Sequence, residues 1–169
     1  GSHYFSTSTF CHEMCHTLGA PDLYHYQYYD NVSSVGSWDL MCSNTTPPQH
    51  MGMYMKMQYG KWIDTIPEIT EAGTYTLNSV GDSIHTNNQC YRIMSADGSQ
   101  WYMLEYRDNT ELFETGLGGR GLLIYRIDSR FNGGANFDGV SSFDEVYIFR
   151  PGGINDTTPG LISQAFFRI

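Results

Sequence analysis

The residues best suited to do chemistry form the run His-Glu-Met-Cys-His over residues 12–16. On a helix, residues four apart share a face, so His12 and His16 can present two imidazole nitrogens to one Zn²⁺. Glu13 lies one position along, close enough to reach a metal-bound water without joining the ligand pair. This spacing is typical of helical zinc peptidases, in which the glutamate is the general base.

The residues after His16 extend this pattern. Gly19 falls three positions later, where a glycine lets the chain leave the helix through a left-handed conformation. Asp22 falls six positions after His16, where the long zinc motif returns a third ligand to the metal, and a carboxylate is a suitable zinc ligand. Met41 follows about two dozen residues on and is our candidate for the Met-turn methionine beneath the histidines.

Other side chains could contribute to a site. His50 could line a substrate pocket or replace Asp22 as third ligand. We predict that His25 is a solvated loop residue and that His85 is exposed in a turn. Residues 128–145 are rich in Asp, Asn and Gly and could bind Ca²⁺, but they lack EF-hand spacing, which favours a flexible acidic loop.

Two helices must position these residues. We predict helices over residues 8–19 and 47–60, joined by a long polar loop over 20–46, and long loops in compact domains tend to be functional. The prolines at 47 and 48 suit the first turn of the second helix. The apolar stripe of that helix predicts core packing and comprises Met51, Tyr54, Met55 and Gln58.

Downstream of residue 66 the pattern changes to short strands. Residues 90–94 and 100–106 flank an Asp-Gly turn and predict a hairpin. Further strands are predicted over residues 74–77, 121–127 and 146–150. The fold class is therefore α+β, with a boundary between residues 65 and 66.

Composition narrows the function classes. The chain has 169 residues, with 9 Lys and Arg against 18 Asp and Glu, so its net charge is −9. An acidic chain with two lysines is a poor partner for nucleic acid or anionic lipid. No stretch approaches the roughly 18 apolar residues of a membrane span. The four cysteines allow three complete disulfide pairings or could be buried thiols, and the sequence does not choose between these.

The runs 12–24 and 36–41 resemble the immune inhibitor A-like metallopeptidases, a family of secreted bacterial proteases. Residues 105–107 and 121–128 resemble the β-rich segment of that family. This chain has Tyr106 where the family usually has Asn, and Tyr-Arg at 125–126 where it often has Trp-His.

The resemblance implies a metzincin-like zinc endopeptidase that hydrolyses extracellular proteins or peptides. By position, His12, His16 and Asp22 would be metal ligands, Glu13 the catalytic base and Met41 the Met-turn residue. Residues 1–65 would be the lower part of the catalytic domain, and residues 66–169 an antiparallel, sandwich-like β domain. The metal helix begins so early that an upstream half of the catalytic domain is expected to be missing.

One alternative belongs to another class of protein. The β segment and a tyrosine-rich loop could bind a protein or glycan at a surface without catalysis, with a vestigial or structural zinc site. The tyrosines of that loop are Tyr24, Tyr26, Tyr28 and Tyr29. The intact His-Glu-x-x-His run favours the peptidase, because a decayed site would not need Glu13.

Overall fold

The structure is a computed structural model that describes residues 5–26, 33–131, 144–153 and 160–168. Two helices precede a four-stranded sheet, which agrees with the predicted α+β class. No described helix is both long and apolar enough to span a membrane. The elements are α1 (Thr7–Thr17), α2 (Met53–Gln58), β1 (Cys90–Met94), β2 (Trp101–Arg107), β3 (Gly121–Ile127) and β4 (Val146–Ile148).

Helix α1 forms close to the predicted range. Ser6 caps its start, because the Ser6 hydroxyl accepts a hydrogen bond from the backbone N–H of Thr9 at 3.1 Å. Gly19 ends the helical turn with a φ of 91°, and its N–H donates to the carbonyl of His16 at 2.9 Å. The predicted glycine turn is thus confirmed, and it directs the chain towards Asp22.

Helix α2 is shorter than predicted, because it begins at Met53 and not at Pro47. The side chain of Gln49 holds the preceding residues in a loop by donating to the carbonyls of Ser37 and Ser43. The carboxylate of Glu105 accepts the N–H of Met53 at 2.8 Å and so fixes the start of the helix from the sheet. Three of the four residues of the predicted apolar stripe lie in the core, because Met51, Tyr54 and Met55 are buried, while Gln58 is half-buried.

The sheet is antiparallel, with the strands in chain order. The predicted hairpin is confirmed as β1 and β2, and Gly98 in its turn has a φ of 70°. The prediction of a strand over residues 74–77 is wrong, because three of the four residues are exposed and no strand pairs with them. The predicted last strand ends at Ile148, although the N–H of Phe149 still donates to Ile124.

One face of β2 carries the core. Trp101, Met103, Glu105 and Arg107 are buried, and the residues between them are only half-buried. The ring of Tyr54 in α2 packs against Trp101 with the ring centroids 5.6 Å apart. Residues on both sides of positions 65 and 66 therefore share one hydrophobic core. The division into two domains stays a prediction.

The cysteines do not form disulfides. All four are free thiols, of which Cys15 and Cys90 are buried while Cys11 and Cys42 are half-buried. Burial raises the pKa of Cys42 to about 11 and that of Cys90 to about 12. These thiols therefore stay protonated at neutral pH and act as small apolar core residues.

Candidate metal centre

Three predicted ligands meet at the end of α1. Nε2 of His12 lies 3.0 Å from Oδ1 of Asp22, and Nε2 of His16 lies 3.3 Å from the same oxygen. One ligand atom from each of the three residues lies within 4.8 Å of the others. The helical spacing of the histidines and the turn at Gly19 together produce this cluster.

Backbone carbonyls hold both imidazole rings. Nδ1 of His12 lies 2.9 Å from the carbonyl oxygen of Leu40, and Nδ1 of His16 lies 2.8 Å from that of Ala20. A carbonyl can only accept, so each Nδ1 carries the proton and each Nε2 of a neutral ring keeps its lone pair. Outer contacts of this kind orient the histidine ligands of metal sites.

The donor set fits a bound cation. In neutral rings the Nε2 lone pairs of His12 and His16 face the Asp22 carboxylate. These three groups are all hydrogen-bond acceptors and repel one another unless a cation lies between them. Two ligand atoms at about 2.0–2.1 Å from a tetrahedral zinc ion lie about 3.4 Å apart, close to the observed 3.0 and 3.3 Å. Two imidazoles and one carboxylate are also a ligand set that catalytic zinc sites use.

The predicted Met-turn residue lies in a tight turn below α1. The N–H of Cys42 donates to the carbonyl of Asp39 at 3.1 Å, and Met41 is completely buried. This turn provides the Leu40 carbonyl that faces His12. Its Met41 carbonyl also accepts the N–H of Leu23, next to Asp22, at 2.8 Å.

Glu13 and two tyrosines lie around the cluster. Glu13 is exposed on α1, beside His12. The ring of Tyr24 stacks over that of His12, with the centroids 6.4 Å apart. The hydroxyl of Tyr26 donates to Oδ2 of Asp22, and this hydrogen bond is the main reason that the pKa of Tyr26 is raised. Tyr26 thus stays protonated and occupies Oδ2 of Asp22, while the histidines contact Oδ1.

The sequence prediction missed a buried ionic network that contacts the loop between the metal cluster and α2. Arg107 donates to both oxygens of Glu114, at 2.5 and 2.6 Å, and to Oε1 of Glu105 at 3.0 Å. It also donates to the carbonyl of Trp38 at 2.8 Å. Burial alone would lower the pKa of Arg107, but Glu114 and Glu105 more than offset this and raise it. Arg107 therefore stays charged.

This network supports the loop that leads to α2. Glu114 accepts the N–H of His50 at 3.1 Å, as Glu105 accepts that of Met53. The buried hydroxyl of Tyr125 donates to Glu105 at 3.1 Å. Tyr106 is half-buried on the opposite face of β2, so this departure from the family pattern lies outside the network.

The other histidines differ in environment. The prediction of a solvated His25 is wrong, because its Nε2 lies 2.6 Å from Oδ1 of Asp144 and its side chain is only 10 % exposed. His85 is exposed as predicted and contacts Asp82 at 2.7 Å. His50 is half-buried and lies outside the metal cluster.

The predicted acidic loop is described only at its ends. Asp128 binds Arg130 and Gln100, and Asp144 contacts His25. The remaining oxygen-bearing candidates for Ca²⁺, at positions 132, 136 and 138, lie outside the described residues, as do Tyr28 and Tyr29.

An apolar pocket of about 430 Å³ lies against the face of α1 that bears Cys11, Met14 and Leu18. His50 and Lys56 also line it, with Nζ of Lys56 3.5 Å from Nδ1 of His50. Burial lowers the pKa of His50 to about 4 and that of Lys56 to about 8. His50 is therefore neutral at pH 7, while Lys56 is charged at an energetic cost.

The cost of burying this charge predicts that folded stability depends on pH. Between pH 8 and 10.5 the unfolded chain binds a proton at Lys56 that the folded chain has lost, so folded stability rises with pH. The free energy of unfolding of the wild type should rise by about 2 kcal/mol relative to Lys56→Met between pH 7.5 and 10. Urea unfolding measures this. Lys61→Met, which removes an exposed lysine and keeps Lys56, should differ from the wild type by a constant amount over the same range. A constant difference between wild type and Lys56→Met would contradict the prediction.

Comparison with known proteins identifies the segment that carries the cluster. The family model of the immune inhibitor A peptidase M6 catalytic domain matches residues 5–74. No curated protein and no solved structure gives a significant match. The matched residues include α1, the turn at Met41, α2 and all three members of the metal cluster. Over residues 5–74 the chain is therefore similar to the immune inhibitor A peptidases of family M6.

Proposed function

We propose that this chain is part of a zinc-dependent endopeptidase that hydrolyses extracellular proteins, with His12, His16 and Asp22 as the zinc ligands. The observation that carries the proposal is the convergence of two Nε2 atoms on one Asp22 oxygen while both Nδ1 atoms are engaged by carbonyls. The match of residues 5–74 to the model of a peptidase catalytic domain supports the reaction type. The extracellular location rests on the resemblance to secreted bacterial proteases.

The residues around the cluster suit peptide hydrolysis. Bound zinc would supply Lewis acidity, lowering the pKa of water and polarising a peptide carbonyl. Glu13 is exposed beside His12, so it can accept a proton from the attacking water and deliver it to the leaving amine. Tyr26 holds one oxygen of Asp22 by a hydrogen bond, which leaves Oδ1 directed at the histidines.

Metal content tests the ligand set. The purified wild type should contain about one zinc per chain, and His12→Ala and His16→Ala should each lose it together with hydrolysis of casein. A chelator should abolish hydrolysis, and added zinc should restore it. His85→Ala is the matched control, because His85 is an exposed histidine paired with Asp82.

Two results would contradict the proposal. One is hydrolysis of casein by a sample of the protein that metal analysis shows to be free of metal. The other is full zinc content in both His12→Ala and His16→Ala. A zinc-free chain that still binds a protein or glycan would instead favour the non-catalytic surface module.

A further inference from the structure

Asp39 is a fully buried carboxylate whose two oxygens bind separate parts of the chain. Oδ1 accepts the N–H of Met41 at 2.8 Å, which closes the turn from the inside. Oδ2 accepts the N–H of Gly52 at 2.7 Å, immediately before α2. Asp39 therefore fastens the turn at residues 39–42 to the start of the second helix.

The same turn contacts two of the proposed zinc ligands. Its Leu40 carbonyl faces Nδ1 of His12 at 2.9 Å. Its Met41 carbonyl accepts the N–H of Leu23, next to Asp22, at 2.8 Å. A displacement of this turn would thus change both the orientation of the His12 ring and the position of the backbone at Asp22.

We propose that Asp39 is a positioning residue of the metal centre, which sets the geometry of His12 and Asp22 through the turn at residues 39–42. This inference rests on the zinc site proposed above. Asp39 does not touch the ligands, so its effect passes through the Leu40 and Met41 carbonyls. This role differs from a general contribution to stability, because the Leu40 carbonyl contacts the ligand His12 and the Met41 carbonyl contacts the residue next to the ligand Asp22.

The chemistry of the position favours a carboxylate. Two N–H donors converge from different segments, so both side-chain oxygens must accept, and an amide offers only one acceptor. Burial raises the pKa of Asp39 to about 6, while the N–H groups of Gly52 and Met41 and the charge of Arg107 oppose that rise.

Substitution of Asp39 tests the proposal with zinc alone as the probe. Asp39→Asn should weaken zinc binding by up to about 10-fold, the low end of the effect of losing an outer contact of a metal ligand, because Asp39 acts only through the Leu40 and Met41 carbonyls. Asp39→Ser can still accept the Met41 N–H and places no amide NH2 against the N–H of Gly52, so its zinc affinity should fall less than that of Asp39→Asn. Asp128→Asn is the matched control, because Asp128 is equally buried but contacts Arg130 and Gln100.

Two further readouts separate positioning from stability. The visible spectrum of the chain saturated with Co²⁺ reports ligand geometry, and it should change in Asp39→Asn but not in Asp128→Asn. In the wild type, zinc should slow hydrogen exchange at the N–H groups of Met41 and Gly52 more than at Gly98, because coupling between the metal and the turn is reciprocal. This measurement needs no variant and decides the question if the Asp39 variants do not fold.

The outcomes are distinct. Wild-type affinity and an unchanged Co²⁺ spectrum in both Asp39 variants, or unchanged exchange at Met41 and Gly52, would overturn the positioning role alone. An equal loss of zinc affinity in Asp128→Asn would overturn it as well. A wild-type chain that binds no zinc would overturn the proposed function together with this inference.

Discussion

Glu13→Gln should retain the zinc of the wild-type chain and lower the rate of peptide hydrolysis by about 10²- to 10⁴-fold, the range that general acid–base catalysis contributes. Glutamine has nearly the same shape as glutamate but cannot accept the proton of the attacking water. Because Glu13 is exposed and lies outside the ligand cluster, the substitution should leave His12, His16 and Asp22 in place. Zinc analysis and the cleavage rate of a fluorogenic peptide on the same sample measure both effects.

Glu71→Gln provides the control for this experiment. Glu71 is also an exposed glutamate within residues 5–74, but it lies in the irregular segment before the sheet. We expect its cleavage rate to equal that of the wild type. Hydrolysis at the parental rate by zinc-loaded Glu13→Gln would show that Glu13 is not the base.

Arg107→Met should lower the free energy of unfolding by about 3–5 kcal/mol, as expected when one partner of a buried ion pair is removed. Arg107 and both of its carboxylate partners are fully buried. Methionine fills a similar length but leaves Glu105 and Glu114 without a counter-charge and the Trp38 carbonyl without a donor. Urea unfolding measures the loss.

The matched control is Arg92→Met in the neighbouring strand β1. Arg92 pairs with Glu68 at 3.0 Å, but both side chains are about one third exposed. An exposed pair of this kind contributes about 0–1 kcal/mol. If the two arginine variants lost equal stability, the buried network would not be the support that its contacts indicate.

The sequence predicted the parts of the site that depend on local geometry. The pairing of His12 with His16 follows from helical spacing, and the turn at Gly19 follows from a residue that readily adopts a positive φ. Asp22 then falls beside the histidines because only a short turn separates them. The start of α2 was mispredicted because a carboxylate from β2 sets it, and the local sequence contains no sign of that contact.

Long-range contacts explain the remaining differences. Asp39 and Glu114 belong to no metal or catalytic spacing, and each accepts a backbone N–H from another segment, 13 positions away at Gly52 for Asp39 and 64 away at His50 for Glu114. Glu105 and Arg107 alternate as residues on one face of a strand do, but alternation does not reveal that the charged face is the buried one. His25 gave no signal of burial because its partner, Asp144, is 119 residues away.

The contacts between the sheet and the loop that leads to α2 also determine how much of the chain must be synthesised before that loop is supported. Glu105 contacts Met53 across 52 positions, Glu114 contacts His50 across 64, and Arg107 contacts Trp38 across 69. Contacts of such separation form late in folding. A nascent chain that has emerged only to residue 74 contains the whole matched segment but none of these three bonds. The segment from Trp38 to Met53 can therefore make these three bonds only after residues 105–114 have been synthesised.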